Sequence, residues 1–183
     1  AVDVAIAAVE HVVAVDVELV DAVVVEAVAV DVVLEQAPVE QPVAVDVGAP
    51  PPAMLSAYNL FAWDPATGAT FNPTGDRLVP YDLNAALFSD YALKLRAVYL
   101  PPGAAATFDP ELVFDLPVGS VILKNFAFPA DLRAPTVGVR LIETRLLVRY
   151  ADGWRPLPYV WNDDQTDAEL TPAGDVQVIS FVD

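Results

Sequence analysis

The sequence predicts an all-β fold, an antiparallel sandwich or barrel of short strands preceded by a low-complexity acidic leader. Residues 140–161 alternate apolar and polar side chains on both sides of an Asp-Gly pair, which is the pattern of a β-hairpin. Other apolar runs after residue 53 are short and are separated by prolines and glycines. Residues 1–52 differ sharply in composition from the rest of the chain, which indicates two separate parts.

The leader comprises residues 1–52. It contains ten acidic residues and nineteen valines, but no Lys, Arg or aromatic residue. The phrase Ala-Val-Asp-Val recurs at Ala1, Ala14, Ala29 and Ala44. Alternation at 13–17 favours a strand, whereas the Ala and Glu content of 5–35 also permits a helix. We interpret the leader as a tether and place the start of the β-rich domain, residues 53–183, after the prolines at 50–52.

The net charge of −17 belongs mainly to the leader, since nine basic and sixteen acidic side chains follow it. An acidic chain repels phosphate groups, so we expect neither nucleic acid nor an anionic lipid surface as a partner. There is no cysteine, and the one histidine, His11, lies in the leader. This composition excludes disulfides, thiolate zinc sites and covalent haem within these residues, and a His-based triad from the folded part.

The chain begins with Ala rather than Met and shows no signal peptide or uncharged apolar run of membrane-spanning length. We therefore expect a fragment or a processed form. The sequence leaves open whether the β-rich domain is truncated at its C-terminus.

The elements before the hairpin are predicted from apolar runs and turn formers. One helical turn is expected near Leu55, in an apolar opening that extends to Trp63. A loop with a short helical turn is expected at 79–90. Strands are predicted at 94–100, 113–116 and 118–128, and a last strand at 176–182.

The hairpin joins strands 140–150 and 154–161 through Asp152-Gly153, which favours a type I′ turn. Prolines 156 and 158 predict an edge or bulged second strand, because each lacks an amide donor. One face of the first strand is expected to carry Ile142, Thr144, Leu146 and Val148. On that face the turn predicts three largely apolar pairs: Val148 with Leu157, Leu146 with Tyr159 and Thr144 with Trp161. On the opposite face it predicts Arg145 with Val160 and Glu143 with Asn162.

An acidic cluster follows the hairpin: Asp163, Asp164, Asp167 and Glu169. Carboxylates in such a cluster suit a hard cation such as calcium, although the EF-hand spacing is missing. The alternative is a helix N-terminus, where carboxylates favour the positive end of the helix dipole. Thr166 and Glu169 fit a capping box, so a short helix is predicted there.

Polar and aromatic residues of the hairpin are the other candidates. Glu143, Arg145 and Arg149 share a strand face that suits an anion or a sugar, or else forms a solvated face with cross-strand ion pairs. The aromatic side chains suit stacking on sugar rings or a place in the core. The candidate ligand-binding residues are Glu143, Arg145, Trp154, Tyr159, Trp161, Asn162, Asp163 and Asp164, and none is assigned as catalytic, cofactor-binding or metal-binding.

Lys124 and three residues of the loop at 79–90 are further candidates for chemistry. Lys124 lies on an apolar face of a predicted strand, where desolvation would lower its pKa and make its amine nucleophilic. The alternative is that its ammonium group reaches water or pairs with an acid. Asp82, Asn84 and Asp90 are candidates for acid–base work, or else for Asx turns and caps.

Three stretches of the sequence resemble the N-terminal, haem-free region of an uncharacterised bacterial family of predicted dihaem c-type cytochromes, often lipoproteins. They are 79–96 (VPYDLNAALFSDYALKLR), 116–126 (LPVGSVILKNF) and 140–147 (RLIETRLL), with continuations at 152–154 and 159–168. Related segments occur in larger secreted proteins that join a sugar-dehydrogenase-like propeller to a haem c domain. The resemblance covers roughly residues 55–183. A fainter similarity connects 118–124 and the hairpin to the β-barrel of the cytochrome P460 family.

The resemblance implies a periplasmic or extracellular location, with an outer-membrane lipid anchor upstream, and haem c motifs in the parent protein beyond Asp183. No position here matches a haem ligand, so no cofactor is expected in this chain. We expect a non-catalytic accessory β domain of an exported electron-transfer protein, which orients a downstream haem c domain or another redox partner. The alternatives are an extracellular glycan- or polymer-binding β module and, third, an independent enzyme.

Overall fold

The structure is a computed structural model that describes residues 9–14, 45–61, 63–64, 68–69 and 78–183. In these residues the fold is nearly all β, as predicted, with a single short 3-10 helix. The elements are β1 (Val9–Ala14), the 3-10 helix (Leu55–Tyr58), β2 (Trp63–Asp64), β3 (Gly68–Ala69), β4 (Leu78–Tyr81), β5 (Leu93–Tyr99), β6 (Val121–Phe128), β7 (Arg140–Tyr150), β8 (Gly153–Trp161), β9 (Ala168–Leu170) and β10 (Val176–Phe181). Within these residues, no helix is long and apolar enough to cross a membrane.

Six strands form an antiparallel meander in the order β4-β5-β6-β7-β8-β9. Two smaller pairings, β1 with β10 and β2 with β3, complete the described sheets. Each strand of the meander pairs with its neighbour in sequence, so short loops suffice to connect them. The pairing confirms the antiparallel all-β class, whereas the finer prediction of a sandwich or barrel is not confirmed.

One face of the six-stranded sheet, here called the core face, carries the main hydrophobic core. β-branched, aromatic and leucine side chains alternate onto it, because successive residues of a strand point to opposite faces. Trp161 and Tyr159 are the largest side chains that are fully buried there. The 3-10 helix covers this face, and Tyr58 packs edge-on against Tyr159 with ring centroids 6.0 Å apart. Two of the three candidate hairpin aromatics therefore belong to the core.

The core face also contains a small polar network. Thr144 Oγ1 donates to Asn125 Oδ1 at 2.6 Å and accepts from Trp161 Nε1 at 2.8 Å. All three residues are buried. Because buried polar groups must pair to offset desolvation, this network constrains the relative positions of β6, β7 and β8.

A second, smaller core lies on the opposite face, here called the outer face. It consists of Phe128, Ile142, Ile179 and Phe181, and it packs β10 against the ends of β6 and β7. A β-bulge permits this arrangement, since Phe126 pairs with Glu143 and the next pair is Ala127 with Leu141. Ile142 is the extra residue. The prediction that it shares a face with Thr144, Leu146 and Val148 is therefore wrong.

The β7–β8 hairpin is confirmed, but its turn and register differ from the prediction. Ala151 and Asp152 form the turn, and the positive φ of 142° occurs after them at Gly153, which is incompatible with type I′. The register is displaced by two residues, and a period of two keeps the same side chains on the core face. The observed pairs are Val148 with Arg155, Leu146 with Leu157, Thr144 with Tyr159, Arg145 with Pro158 and Glu143 with Val160.

Three further predictions are wrong in detail. No helix forms at 166–169, since the Asn162 side chain accepts from the Thr166 amide and the chain continues directly into β9. Residues 113–116 make only an isolated bridge, Thr107 with Asp115. Residues 79–90 contain β4 and a loop rather than a helical turn. The strands predicted at 94–100, 118–128 and 176–182 are confirmed within a few residues at their ends.

Packing against the main core is already present at Val45, seven residues before the last of the prolines that suggest a domain boundary. Val45 and Val47 pack against the core residues. The Tyr159 hydroxyl donates to the Pro52 carbonyl at 2.8 Å, and the Leu170 amide donates to the Ala53 carbonyl at 2.8 Å. Residues 45–53 therefore line the β9 side of the sheet. Residues 15–44 of the leader lie outside the described residues.

Among the described residues, β8 has a neighbour on both sides only in its second half, where Tyr159–Trp161 pair with β9. The Thr171 amide donates to the Pro158 carbonyl at 2.9 Å, so this carbonyl points away from β7. Since the nitrogen and the carbonyl of one strand residue point to the same edge, the nitrogens of Pro156 and Pro158 also lie on the side away from β7. The edge prediction is thus confirmed for the first half of β8.

Candidate functional site

Three cationic side chains lie directly opposite one another on neighbouring strands of the outer face. Arg96 of β5 pairs with Lys124 of β6, which pairs with Arg145 of β7. We call this set the cationic row. Lys94, Arg140 and Arg149 fall on the same face by strand alternation, so six of the nine basic residues of the chain share it. Like charges placed opposite each other repel, and the row therefore favours an anionic neighbour.

The two arginines of the cationic row are partly neutralised. Arg145 Nε donates to Glu143 Oε1 at 2.7 Å, and the side chains are 32 % and 5 % exposed. Arg96 Nη1 lies 3.6 Å from Asp82 Oδ1, with a buried guanidinium and an almost fully exposed carboxylate. Asp82 thus lies at the edge of the row as an ion-pair partner. These contacts hold the arginines in place without cancelling the charge of the row.

An aromatic ring anchors the middle of the outer face. Lys124 Nζ lies 4.7 Å and Arg145 Cζ 4.8 Å from the centroid of Phe126. Cations over a ring face are attracted by its quadrupole, so the ring orders two members of the row. For Lys124 the structure thus favours a role in this surface over the nucleophilic alternative.

The loop between β4 and β5 borders the outer face. Asp90 and Tyr91 have positive φ values of 44° and 65°, in a turn that the Ala92 amide closes by donating to the Ser89 carbonyl at 2.8 Å. Positive φ is uncommon for residues other than glycine and stores strain. Phe88 is 72 % exposed and packs edge-on against Tyr91. The loop therefore presents an ordered apolar projection.

Lys94 ties this loop to the sheet, because its Nζ donates to the Leu87 carbonyl. Burial lowers the pKa of Lys94, and the neighbouring positive charge of Arg96 lowers it further. Burial also raises the pKa of Tyr81, while Arg96 acts in the opposite direction. Asp90 contributes to the strained turn rather than to a carboxylate pair, and Asn84 lies exposed in the loop.

Glu143 lies at the junction of the cationic row and the second core. It is only 3 % exposed, and its Oε2 atom is buried without a hydrogen-bond partner among the described residues. Glu143 also lines a cavity of about 10 Å³ that β10 helps to close through Gln177 and that Asp175 and Gly174 also line, but its Oε2 atom is not accessible to a water-sized group. A space of that size holds one water-sized group.

A larger cleft of about 460 Å³ adjoins this cavity, and the two share Asp175 and Gln177. The cleft lies between β10 and the ends of β6 and β7. Arg140 Nη2 donates to Asp163 Oδ1 at 2.5 Å at its mouth. Its volume is within the range of small-molecule sites in proteins. We call the smaller space the inner cavity and the larger one the β10 cleft.

The structure divides the predicted ligand-binding residues into separate groups. Glu143 and Arg145 lie together on the outer face, whereas Asp163 lines the β10 cleft, which neither of them lines. Trp154 is 37 % exposed beside Arg149, with 5.8 Å from the guanidinium to the ring. The predicted stacking platform of three aromatics is not formed, because Tyr159 and Trp161 are buried in the main core.

The remaining predicted residues build the turn between β8 and β9. Asn162 accepts from and donates to Thr166, and Asp164 is exposed in the same turn. Asp167 is directed away from a common cation site, since it accepts from the amide and hydroxyl of Ser56. Within the described residues, no group of three or more His, Cys, Asp or Glu side chains is arranged to hold a metal ion.

Sequence reasoning missed Arg96 and Arg140, and it missed Asp175 and Gln177 in the cleft. The alternation of Lys94 and Arg96 along one predicted strand was a usable signal for the cationic row. No comparable signal exists for Asp175 and Gln177, which meet Glu143 only because β10 folds back over the bulge.

A haem c group does not fit the residues of this chain. Thioether attachment needs cysteines, which the chain lacks, and its one histidine is His11. A scan of protein-family models, a search of curated proteins and a search of solved structures each returned no match to this chain.

Proposed function

We propose that this chain is a non-catalytic docking domain of an exported electron-transfer protein, and that its outer face holds a partner domain with an acidic surface. The observation that carries the docking role is the cationic row, in which Arg96, Lys124 and Arg145 are aligned across three strands of a strongly acidic chain. The electron-transfer context and the periplasmic or extracellular location rest on the sequence resemblance. The partner it implies is a haem c domain of the same parent protein.

Charge complementarity suits this role because it orients a partner while leaving the interface polar. The exposed Phe88 and the loop around it add an apolar contact at one end of the row. Cations held by Phe126 and by ion pairs are ordered before binding, so less side-chain entropy is lost on docking.

The test uses the complete product of the parent gene and compares it with residues 1–183 alone. Hydrogen exchange is followed at β5, β6 and β7. We expect haem in the complete product, and slower exchange of the outer-face strands that is lost at high salt, because salt screens charge pairing. Lys124→Gln should reduce this protection, whereas Arg155→Gln, which removes an equal charge from an exposed ion pair with Asp152, should not.

Each part of the proposal can fail separately. A complete product without haem would overturn the electron-transfer context. Haem without salt-sensitive protection of the outer face would overturn the docking role.

A second candidate is binding of an acidic glycan, which the exposed pair of Trp154 and Arg149 favours. Titration of residues 1–183 with a soluble oligogalacturonate would show saturable binding, weakened by Trp154→Ala, if this candidate is correct. The docking domain would show no such binding.

A further inference from the structure

The edge of β10 that faces away from β1 carries backbone groups without partners. β10 pairs with β1 along its other edge, and just beyond its end Val182 donates to the Ala130 carbonyl at 3.0 Å and accepts from the Leu132 amide at 2.7 Å. The backbone of Val182 therefore points away from β1. Because alternate residues of a strand direct their N–H and C=O groups to the same edge, those of Val178 and Ser180 point that way too. Among the described residues, no backbone group pairs with them there.

The β10 cleft lies along this edge. β10 forms one wall of the cleft, and Pro129, Ala130 and Gly138 lie on the wall that faces it. The hydrogen bonds of Val182 with Ala130 and Leu132 close one end of the cleft. The space of about 460 Å³ that begins beside these bonds thus occupies the position in which a further strand would continue the pairing.

The backbone groups without partners specify an extended peptide. Val178 and Ser180 each offer one donor and one acceptor, and this pattern repeats every second residue, about 6.8 Å along the strand. The backbone of another strand has the same repeat, whereas an ion or a compact ligand does not. The Val176 amide donates to Asp175 Oδ1 at 2.8 Å, so the donors available to a partner end there. The edge therefore favours strand addition, in which main-chain hydrogen bonds supply affinity.

The side chains of β10 restrict the sequence of such a strand. Ile179 is buried in the second core, whereas Val176 and Val178 on the opposite side of β10 are 62 % and 63 % exposed. An added strand would place alternate side chains beside each of these apolar surfaces, and β-branched residues suit both. Its charge is restricted by Asp175, an exposed carboxylate at one end of the cleft. Arg140 and Asp163 at the mouth neutralise each other, so Asp175 favours a basic residue on the partner.

We infer that β10 binds an extended segment of a partner protein as an added strand in the β10 cleft, and that this segment carries β-branched residues with a basic residue beside Asp175. The net charge of the whole chain, −17, favours the approach of such a basic segment. This site is separate from the cationic row, and its existence does not depend on the docking role.

The experiment titrates the full 183-residue chain with the capped peptide Lys-Thr-Val-Thr-Val-Thr and follows amide hydrogen exchange by NMR. In the free chain, the amides of Val178 and Ser180 should exchange faster than those of Gln177 and Ile179, which face β1. With free peptide at about ten times its dissociation constant, exchange at Val178 and Ser180 should slow about tenfold, because it then requires dissociation of the peptide. Unchanged exchange at both amides would overturn the inference.

Two methylated peptides distinguish strand addition from binding through side chains alone. One carries N-methyl groups on both valines and the other on the second and third threonines, so each loses the amide donors of one edge only. We expect one of them to bind as the parent peptide does and the other at least about tenfold more weakly. Equal affinities of the two peptides would contradict strand addition.

Variants of the chain locate the site. Val178→Pro removes one donor from the cleft side of β10 and should weaken peptide binding about tenfold, while pairing with β1 is retained. Val178→Thr, which keeps the amide and the shape of the side chain, is the matched control and should bind nearly as the parent chain does. Equal binding by both variants would place the peptide elsewhere. If Val178→Pro does not fold, the methylated peptides decide the question with the parent chain.

Two further outcomes test the chemistry of the occupant. A peptide with glutamate in place of lysine should bind about fivefold more weakly, because it meets Asp175 with like charge; equal affinity would overturn the assignment of a basic residue. A chain that sediments as a dimer, with Val178 and Ser180 already protected before peptide is added, would show that a second copy covers this edge and would also overturn the inference.

Discussion

The two faces of the six-stranded sheet come from alternate residues of the same strands, yet they differ in chemistry. On β6, Leu123 is fully buried in the main core, and its neighbour Lys124 lies half-buried in the cationic row. The core face needs only apolar volume and one small polar network. The outer face combines repelling cations, a strained loop and a buried carboxylate oxygen without a donor. The core face also has a buried polar atom without a partner among the described residues, Asn125 Nδ2, so the faces differ chiefly in the cationic charge and partial exposure of the outer face, which point to function there.

The largest expected difference between the faces concerns two tryptophans of β8. Trp161→Ala should lower the free energy of unfolding by about 3–5 kcal/mol, because it leaves a cavity in the main core. Trp154→Ala, the same substitution on the outer face, should cost less than about 1 kcal/mol. Urea unfolding followed by circular dichroism measures both. Similar costs for the two variants would contradict the assignment of the faces.

An intermediate effect is expected for the Glu143–Arg145 ion pair. Arg145→Gln should destabilise the fold by about 2 kcal/mol, because it leaves the buried Glu143 carboxylate without its charged partner. The double variant with Glu143→Gln should recover most of that loss. Arg155→Gln, which breaks the exposed pair with Asp152, is the control and should change stability little. A double variant as unstable as the single one would show that the pair itself is not the cause.

The smallest expected effect is electrostatic and concerns the ion pair of Asp131 with Arg133, which follow β6 in the chain. Hydrogen bonds from Arg133 lower the pKa of the Asp131 carboxyl to about 2. Since this folded-state pKa is below the unfolded value of about 3.9, the contribution to stability is present above about pH 4 and is lost as the pH falls towards 2. A carboxyl-carbon titration should give a midpoint near 2 that rises in Arg133→Gln. An unchanged midpoint in that variant would refute the pairing.

The sequence predicts best those structural features that depend on residues close together in the chain. The alternation of residues 140–150 predicted β7 and its apolar face, since that pattern is contained in the strand. The predicted hairpin register is displaced by two residues from the observed one. Both registers place Leu146 and Leu157 on the same face, so side-chain chemistry does not distinguish the two registers. The turn conformation, with its positive φ at Gly153, decides between them.

The candidate site was predicted less well for the same reason. Glu143 and Arg145 were identified from one strand, but the burial of Glu143 depends on β10, which is more than thirty residues further along the chain. Nothing in the local pattern at Ile142 indicates the bulge, which arises where the second core forms. Trp161 was a candidate because aromatic residues suit both stacking and cores, and only the fold decides between these roles.

The position of the two prolines in β8 has a consequence for how copies of this protein behave in a crowded solution. An open strand edge is a template on which another chain can add a strand, and long edges of this kind promote aggregation. Among the described residues, Pro156 presents its nitrogen on the open edge, and at Pro158, whose nitrogen points the same way, the carbonyl is already occupied by the Thr171 amide. The edge therefore lacks an amide donor at both positions, and an incoming strand could not complete a ladder there. The same residues that weaken the pairing of β8 on this side therefore keep the sheet from extending into neighbouring molecules.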